Sequence, residues 1–145
     1  MQIETILVPV DFSSHAAQAL DHAVGLAKIF DAHVHLLHCY PLTPGSISPY
    51  GPIITAEFTQ AAQEAATAKL HEWRDKVATE GVEIDEHVTS HFPSEAIART
   101  ATEVGADLIV MGTRGLTGLK HVLLGSIAER TIRIAPCPVL TVKAD

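Results

Sequence analysis

Ala106-Asp107-Leu108-Ile109-Val110-Met111 runs directly into Gly112-Thr113-Arg114-Gly115, and nine residues later the chain continues Gly125-Ser126-Ile127. The first segment is an apolar run suited to a buried parallel strand, whereas Ile127, Thr131 and Ile134 recur at helical spacing. The glycines, spaced G-x2-G-x9-G-S, therefore fall where a strand ends and a helix begins. Glycines in such a connection let backbone N–H groups close on a phosphate. In open α/β sheets, nucleotides bind in the crevice outside the carboxyl ends of the strands.

The rest of the chain alternates strand and helix patterns around this segment. Ile3 to Val10 is β-branched and apolar and ends in Pro9-Val10-Asp11, with Ser13 and Ser14 as helix-capping candidates. Ala16, Leu20, Ala23, Val24 and Ala27 then form a helical stripe, and His33 to Tyr40 suits a second strand. The prolines and glycines between Pro41 and Pro52 predict a long loop without regular structure. Thr55 to Glu80 is the longest helical pattern, with Phe58, Ala62, Ala65, Ala66, Leu70, Trp73 and Val77 on one face and Gly81 placed to end it. Val82 to Thr89 follows as strand three, and Pro93 opens a third helix that Gly105 stops. Asp107 to Met111 is strand four, and Pro138 to Val142 is strand five. Short βα alternation of this kind requires right-handed crossovers and a doubly wound five-stranded parallel sheet covered on both faces, in a single domain over residues 1–145.

At 145 residues and 47% hydrophobic content, the chain is the size of one ordinary domain with its own core. A formal charge of −7 argues against nucleic acid as a partner, since a basic face is needed to release counterions from phosphates. With no basic-then-apolar leader and no charge-free run near 20 residues, a soluble cytoplasmic protein without membrane insertion is expected. Cys39 and Cys137 are read as reduced thiols. Between Gly112 and Ile134 the balance reverses: Arg114, Lys120, Arg130 and Arg133 face Glu129 alone, four positive charges against one negative. Such an island draws an anionic small molecule; Arg130 and Arg133 are read as helix residues complementing the dipole or a solvated face, while Arg114 and Lys120 fit either reading equally.

The glycine segment is not a Walker A loop, which needs a lysine beside its second glycine, and the first βα turn, Val10-Asp11-Phe12-Ser13-Ser14, lacks a dinucleotide fingerprint. What remains is an anion site at a helix N-terminus, worth about 0.3–1 kcal/mol from the dipole when exposed. Ser126-Ile127-Ala128-Glu129 also reads as a capping box, which accounts for Ser126 without a ligand. Asp11 can accept from a ribose hydroxyl or an adenine amine, or can cap the first helix.

The whole chain resembles the universal stress proteins. The resemblance rests on Val8-Pro9-Val10-Asp11-Phe12-Ser13, Leu36-Leu37-His38, Met111-Gly112-Thr113-Arg114-Gly115, Leu124-Gly125-Ser126-Ile127-Ala128-Glu129 and Pro136-Cys137-Pro138-Val139-Leu140-Thr141-Val142. The G-x2-G-x9-G-S spacing is similar to that of the family's ATP-binding branch. The resemblance implies an adenine nucleotide alpha-hydrolase-like sheet of order 3-2-1-4-5 and a homodimer whose fifth strands, Val139 to Val142, pair antiparallel. It implies adenine near Asp11 and the backbone at Cys39, ribose near Pro9 and Gly112, and phosphates on Gly115, Gly125, Ser126 and Ile127, with Val10, Met111 and Arg114 completing the set. The expected ligand is ATP, with AMP or ADP as alternatives and Mg carried on the phosphates. One departure is His91-Phe92-Pro93, where the family often has Gly-x-Pro.

His33 and His35 share one face of strand two and could share a cation, but His38 alternates to the other face and spacing offers no third ligand, so no metal site is assigned. No Ser-His-Asp order with nucleophile-elbow flanks is present and no carboxylate pair stands out, so any turnover of ATP is expected to be slow. The expectation is a dimeric, nucleotide-dependent regulator in stress response whose loop from Pro41 to Ile54 meets a protein partner. A slow ATPase or a self-phosphorylating enzyme acting at a residue such as Ser126, and a nucleotide-free interaction module, are the alternatives.

Overall fold

The structure, a computed structural model, describes residues 1–42, 47–52, 54–78, 81–115, 121 and 123–144, with the backbone alone at 47, 48 and 52. The elements in chain order are β1 (Thr5–Pro9), α1 (Ser14–Phe30), β2 (His33–Cys39), β3 (Ile47–Ser48), β4 (Gly51–Pro52), α2 (Ala56–Ala78), β5 (Ile84–Thr89), α3 (Pro93–Val104), β6 (Leu108–Gly112), α4 (Ser126–Ile134) and β7 (Val139–Val142). Five of the strands form a parallel sheet of order β5-β2-β1-β6-β7, which is the expected 3-2-1-4-5 once the small β3-β4 hairpin is set aside.

Strand alternation divides the core in two. Ile6, Val8, Val34, Leu36 and Val110 meet α1 and α2 on one face, and Leu7, Leu37, Ile109 and Met111 meet α3 and α4 on the other. Near-continuous apolar strands are what a sheet buried on both faces requires. Asp107 locks the central register, its Oδ2 accepting the N–H groups of Glu4 and Thr5 at 2.9 and 3.0 Å.

The predicted helix signals are realised at α1 and α3. Ser13 caps α1 by accepting from the Ala16 N–H at 3.2 Å, Pro93 opens α3, and Gly105 ends it at φ +65°, a backbone region that disfavours any Cβ. Two expectations are corrected. The loop after β2 is not wholly irregular: Ile47 pairs with Pro52 and Ser48 with Gly51 around Pro49-Tyr50. Proline is at home in the turn of such a hairpin and on its edge strand. The apolar face of α2 is also shorter than predicted. Ala66, Leu70 and Val77 are buried and Trp73 packs against the core, while Ala65 is exposed. The second half of α2 is therefore the part that covers β2 and β5.

Candidate functional site

The strand order reverses at β1, which pairs with β2 on one side and β6 on the other. Its ladder with β2 continues to Pro9↔Leu37, but its ladder with β6 covers only Ile6↔Leu108 and Leu7↔Ile109. Beyond that point β1 and β6 part, and Pro9-Val10-Asp11 and Met111-Gly112 form the two lips of a crevice at the carboxyl edge of the sheet. This is the topological switch point at which open α/β sheets bind ligands.

Most of the expected site residues present backbone there rather than side chains. The Val10 and Met111 side chains are core, at 4% and 6% exposure. The Val10 amide is taken by the Leu37 carbonyl at 2.8 Å, and its carbonyl accepts from His38 Nδ1 at 2.7 Å. Cys39 is half-buried at the end of β2, and burial pushes its thiol up to about 11, so the sulfur stays protonated at neutral pH.

The three glycines are needed for close approach, and none of them lies in the left-handed backbone region. A Cβ on Gly112 would sit 2.7 Å from His15 Cβ and 3.0 Å from the His15 carbonyl carbon, so this glycine lets the start of α1 press on β6. A Cβ on Gly115 would sit 2.3 Å from Asp11 Oδ2. Asp11 and Gly115, over a hundred residues apart in sequence, thus meet across the crevice. The other Asp11 oxygen accepts the Ser13 N–H at 3.0 Å, so Asp11 orients the α1 cap without being it. Gly125 folds back on the β6 turn, donating its N–H to the Thr113 carbonyl at 2.6 Å.

That last bond corrects the expected capping box. Gly125 is the N-cap of α4 and Ser126 its first residue, with no side-chain cap on the helix, and Glu129 reaches forward to Arg133 at 2.7 Å. Because the Gly125 amide is spent on Thr113, any anion at this terminus meets the amides of Ser126, Ile127 and Ala128 instead. The first-turn N–H groups of a helix have no intrahelical partner.

The basic island is likewise reduced. Arg130 pairs with Glu95 and lies over the Phe92 ring at 5.7 Å, and Arg133 pairs with Glu129, as expected of residues with local structural work. Arg114 remains beside the glycines, half-buried, and Lys120 lies outside the described residues. His91 stands off the end of β5, with its N–H on Thr89 Oγ1 at 3.3 Å, and β2 separates it from the crevice.

One residue absent from the expected set stands out. Thr113, between Gly112 and Arg114, is 8% exposed, and its hydroxyl is buried with no hydrogen-bond partner among the described residues. A buried unsatisfied hydroxyl costs about 1–3 kcal/mol. Its sequence signal was its place inside the glycine segment, which glycine spacing alone does not single out.

The universal stress protein family model matches residues 2–143. The chain belongs to this family. A universal stress protein of Methanocaldococcus jannaschii, MJ0531, is 38% identical over 145 residues, spanning 95% of this chain and 81% of that protein. Among solved structures, the hypothetical protein MJ0577 superposes with a TM-score of 0.86 at 30% identity, covering 100% of this chain and 99% of that one. A universal stress protein solved in complex with cAMP superposes with a TM-score of 0.73 at 27% identity, covering 99% and 98%. This universal stress protein therefore shares its fold with a relative that holds an adenine nucleotide. No helix among its described residues is long and apolar enough to cross a membrane.

Proposed function

We propose that this universal stress protein binds ATP in the crevice between β1 and β6 and acts as a nucleotide-dependent regulator. The observation that carries the reading is the convergence of Asp11, Gly112, Gly115 and the uncapped start of α4 on one switch-point crevice. A phosphate there meets the positive end of a helix and unpaired amides. The adenine sits toward Asp11 and the Cys39 backbone, the ribose toward Pro9 and Gly112, and the phosphates on Gly115, Ser126 and Ile127, with Gly125 as the wall that admits them. Thr113 joins this set, its hydroxyl donating to the ligand. Mg enters on the phosphates. The cAMP complex of the relative supports adenine as the base.

Binding rather than turnover is the proposed activity, because Glu129, the carboxylate of this segment, is engaged with Arg133. The working form is a homodimer. Its support is β7 at the sheet edge, with Leu140 exposed and Ile132 and Ile134 exposed on the adjacent α4. An unpaired edge strand flanked by apolar side chains is a template for a second copy.

Calorimetric titration of nucleotide-free protein with Mg-ATP tests the reading. One ATP per chain with micromolar affinity, displaced by ADP or AMP and without phosphate release on prolonged incubation, is expected. Absence of saturable heat overturns the site, and steady phosphate release overturns the binding-only role. Sedimentation of the wild type and of Leu140→Lys checks the dimer, which the lysine should dissociate.

A further inference from the structure

We infer that the opposite end of the sheet carries a binding site for a divalent transition-metal ion of the zinc class, built from His33, His35 and Asp85. His33 and His35 alternate onto one face of β2, and parallel pairing sets Asp85 of β5 directly beside His35. His33 Nε2 lies 3.2 Å and His35 Nδ1 3.9 Å from Asp85 Oδ2, and one donor atom from each of the three residues falls within 4.8 Å of the others. Ligands around tetrahedral zinc, with bonds of about 2.0–2.1 Å, stand about 3.3–3.4 Å apart. Closing the triad on an ion therefore takes side-chain adjustment and no movement of the strands.

Two further groups complete the surroundings. The other ring nitrogen of His33, Nδ1, faces the exposed Glu83 carboxylate at 3.8 Å, longer than a hydrogen bond but close enough to add negative charge beside the site. His87, two residues along β5 on the same face, is hydrogen-bonded through Nε2 to His35 Nδ1 at 2.9 Å. Ligation through His35 Nδ1 gives up that bond, so His87 borders the triad without belonging to it, and solvent water fills the remaining coordination position. Two imidazoles with one carboxylate favour zinc, nickel or copper over magnesium or calcium, which take oxygen ligands.

The ion has access from solvent. His33 is 35% and Asp85 59% exposed, and both line an open cavity of about 320 Å³ at the start of β5. Because β5 is an edge strand whose ladder is with β2 alone, an ion across the pair staples that edge to the sheet. From His35 to Cys39 the strand rises about 13 Å. The site is thus separate from the nucleotide's Mg.

Titrating untagged protein with ZnCl2, and with Co²⁺ as a visible-absorbing probe, tests the inference. One zinc per chain with a Kd in the micromolar range, a tetrahedral Co²⁺ spectrum and reversal by EDTA are expected. His33→Gln with Asp85→Asn should weaken binding at least tenfold. His22→Gln with His121→Gln should leave it unchanged, and Asp85→His, which keeps a donor atom, should retain it. Zinc binding that survives His33→Gln with Asp85→Asn in protein shown folded by circular dichroism, or absence of saturable binding in the wild type, overturns the site. Loss of binding in both Asp85→Asn and Asp85→His counts against Asp85 as a ligand. ATP affinity is unaffected by every one of these variants.

Discussion

The two ends of β2 carry different kinds of chemistry. At its carboxyl end, the Cys39 thiol is kept protonated by burial, and the neighbouring crevice is shaped by glycines that let backbone segments touch. At its start, His33 and His35 reach out as side chains and meet Asp85 and His87 of the next strand. A sheet offers amides and helix termini at its carboxyl edge whatever the side chains are, so that end suits an anion. The opposite end has only what side chains bring, and here they bring imidazoles and a carboxylate. Exposed strand faces are open to such acquisitions because a polar cluster there displaces no core packing.

The largest expected effect is that of Gly125→Asp. Gly125 sits in extended backbone at the N-cap of α4, where aspartate is a favoured cap, but its Cβ would lie 3.2 Å from the Thr113 carbonyl, so the variant is first shown folded by circular dichroism; its carboxylate then occupies and repels the proposed phosphate seat. ATP affinity should fall at least a hundredfold, about 2.7 kcal/mol, by calorimetry, with the zinc titration unchanged. Equal loss of both ligands would break the separation of the two ends.

Gly112→Val comes next and acts on stability. Its side chain would collide with the His15 Cβ and backbone, forcing α1 off β6. Overpacking of this kind costs about 1–3 kcal/mol, read as a lower urea midpoint at unchanged m-value. An unaltered midpoint would mean that Gly112 is there for the ligand alone.

Thr113→Val should separate fold from function in one substitution. Removing a buried hydroxyl that has no partner among the described residues should raise the stability of the ligand-free protein by about 1 kcal/mol, whereas ATP affinity falls severalfold. Gains or losses in both would place the hydroxyl's partner within the protein. Cys39→Ser is the smallest effect: ATP affinity should stay within about twofold, since with a thiol pKa near 11 the sulfur offers no charge and the backbone does the holding. A tenfold loss would show that the carboxyl end of β2 also works through its side chain.

Much of the fold was legible because its determinants are local. Apolar runs such as Leu108–Gly112, the helical stripe of α1, the Ser13 cap, Pro93 and Gly105 each act within a few residues, and the spacing of Gly112, Gly115 and Gly125 is what the proposed site rests on in the sequence. Elsewhere local reasoning missed a competing tertiary bond. Ser126 reads as a cap, but the bond from Gly125 to the Thr113 carbonyl shifts the helix start by one residue. The α2 stripe reads as fully inward, but only Ala66, Leu70 and Val77 are buried and Trp73 packs against the core, because how far a helix lies over a sheet is set by tertiary packing and not by its own periodicity.

Sequence by itself determined the alternation of strands and helices, the switch-point architecture and the glycine-lined crevice, because periodicity, capping and turn chemistry are written in adjacent residues. Tertiary structure alone decided the meeting of Asp11 with Gly115, the burial of the Thr113 hydroxyl, and the juxtaposition of His33 and His35 with Asp85. Those pairings depend on strand order and register, and parallel neighbours joined through a helix lie some fifty residues apart in the chain, as His35 and Asp85 do. No spacing rule spans such a distance, whereas one ladder of hydrogen bonds sets it to within an ångström or so.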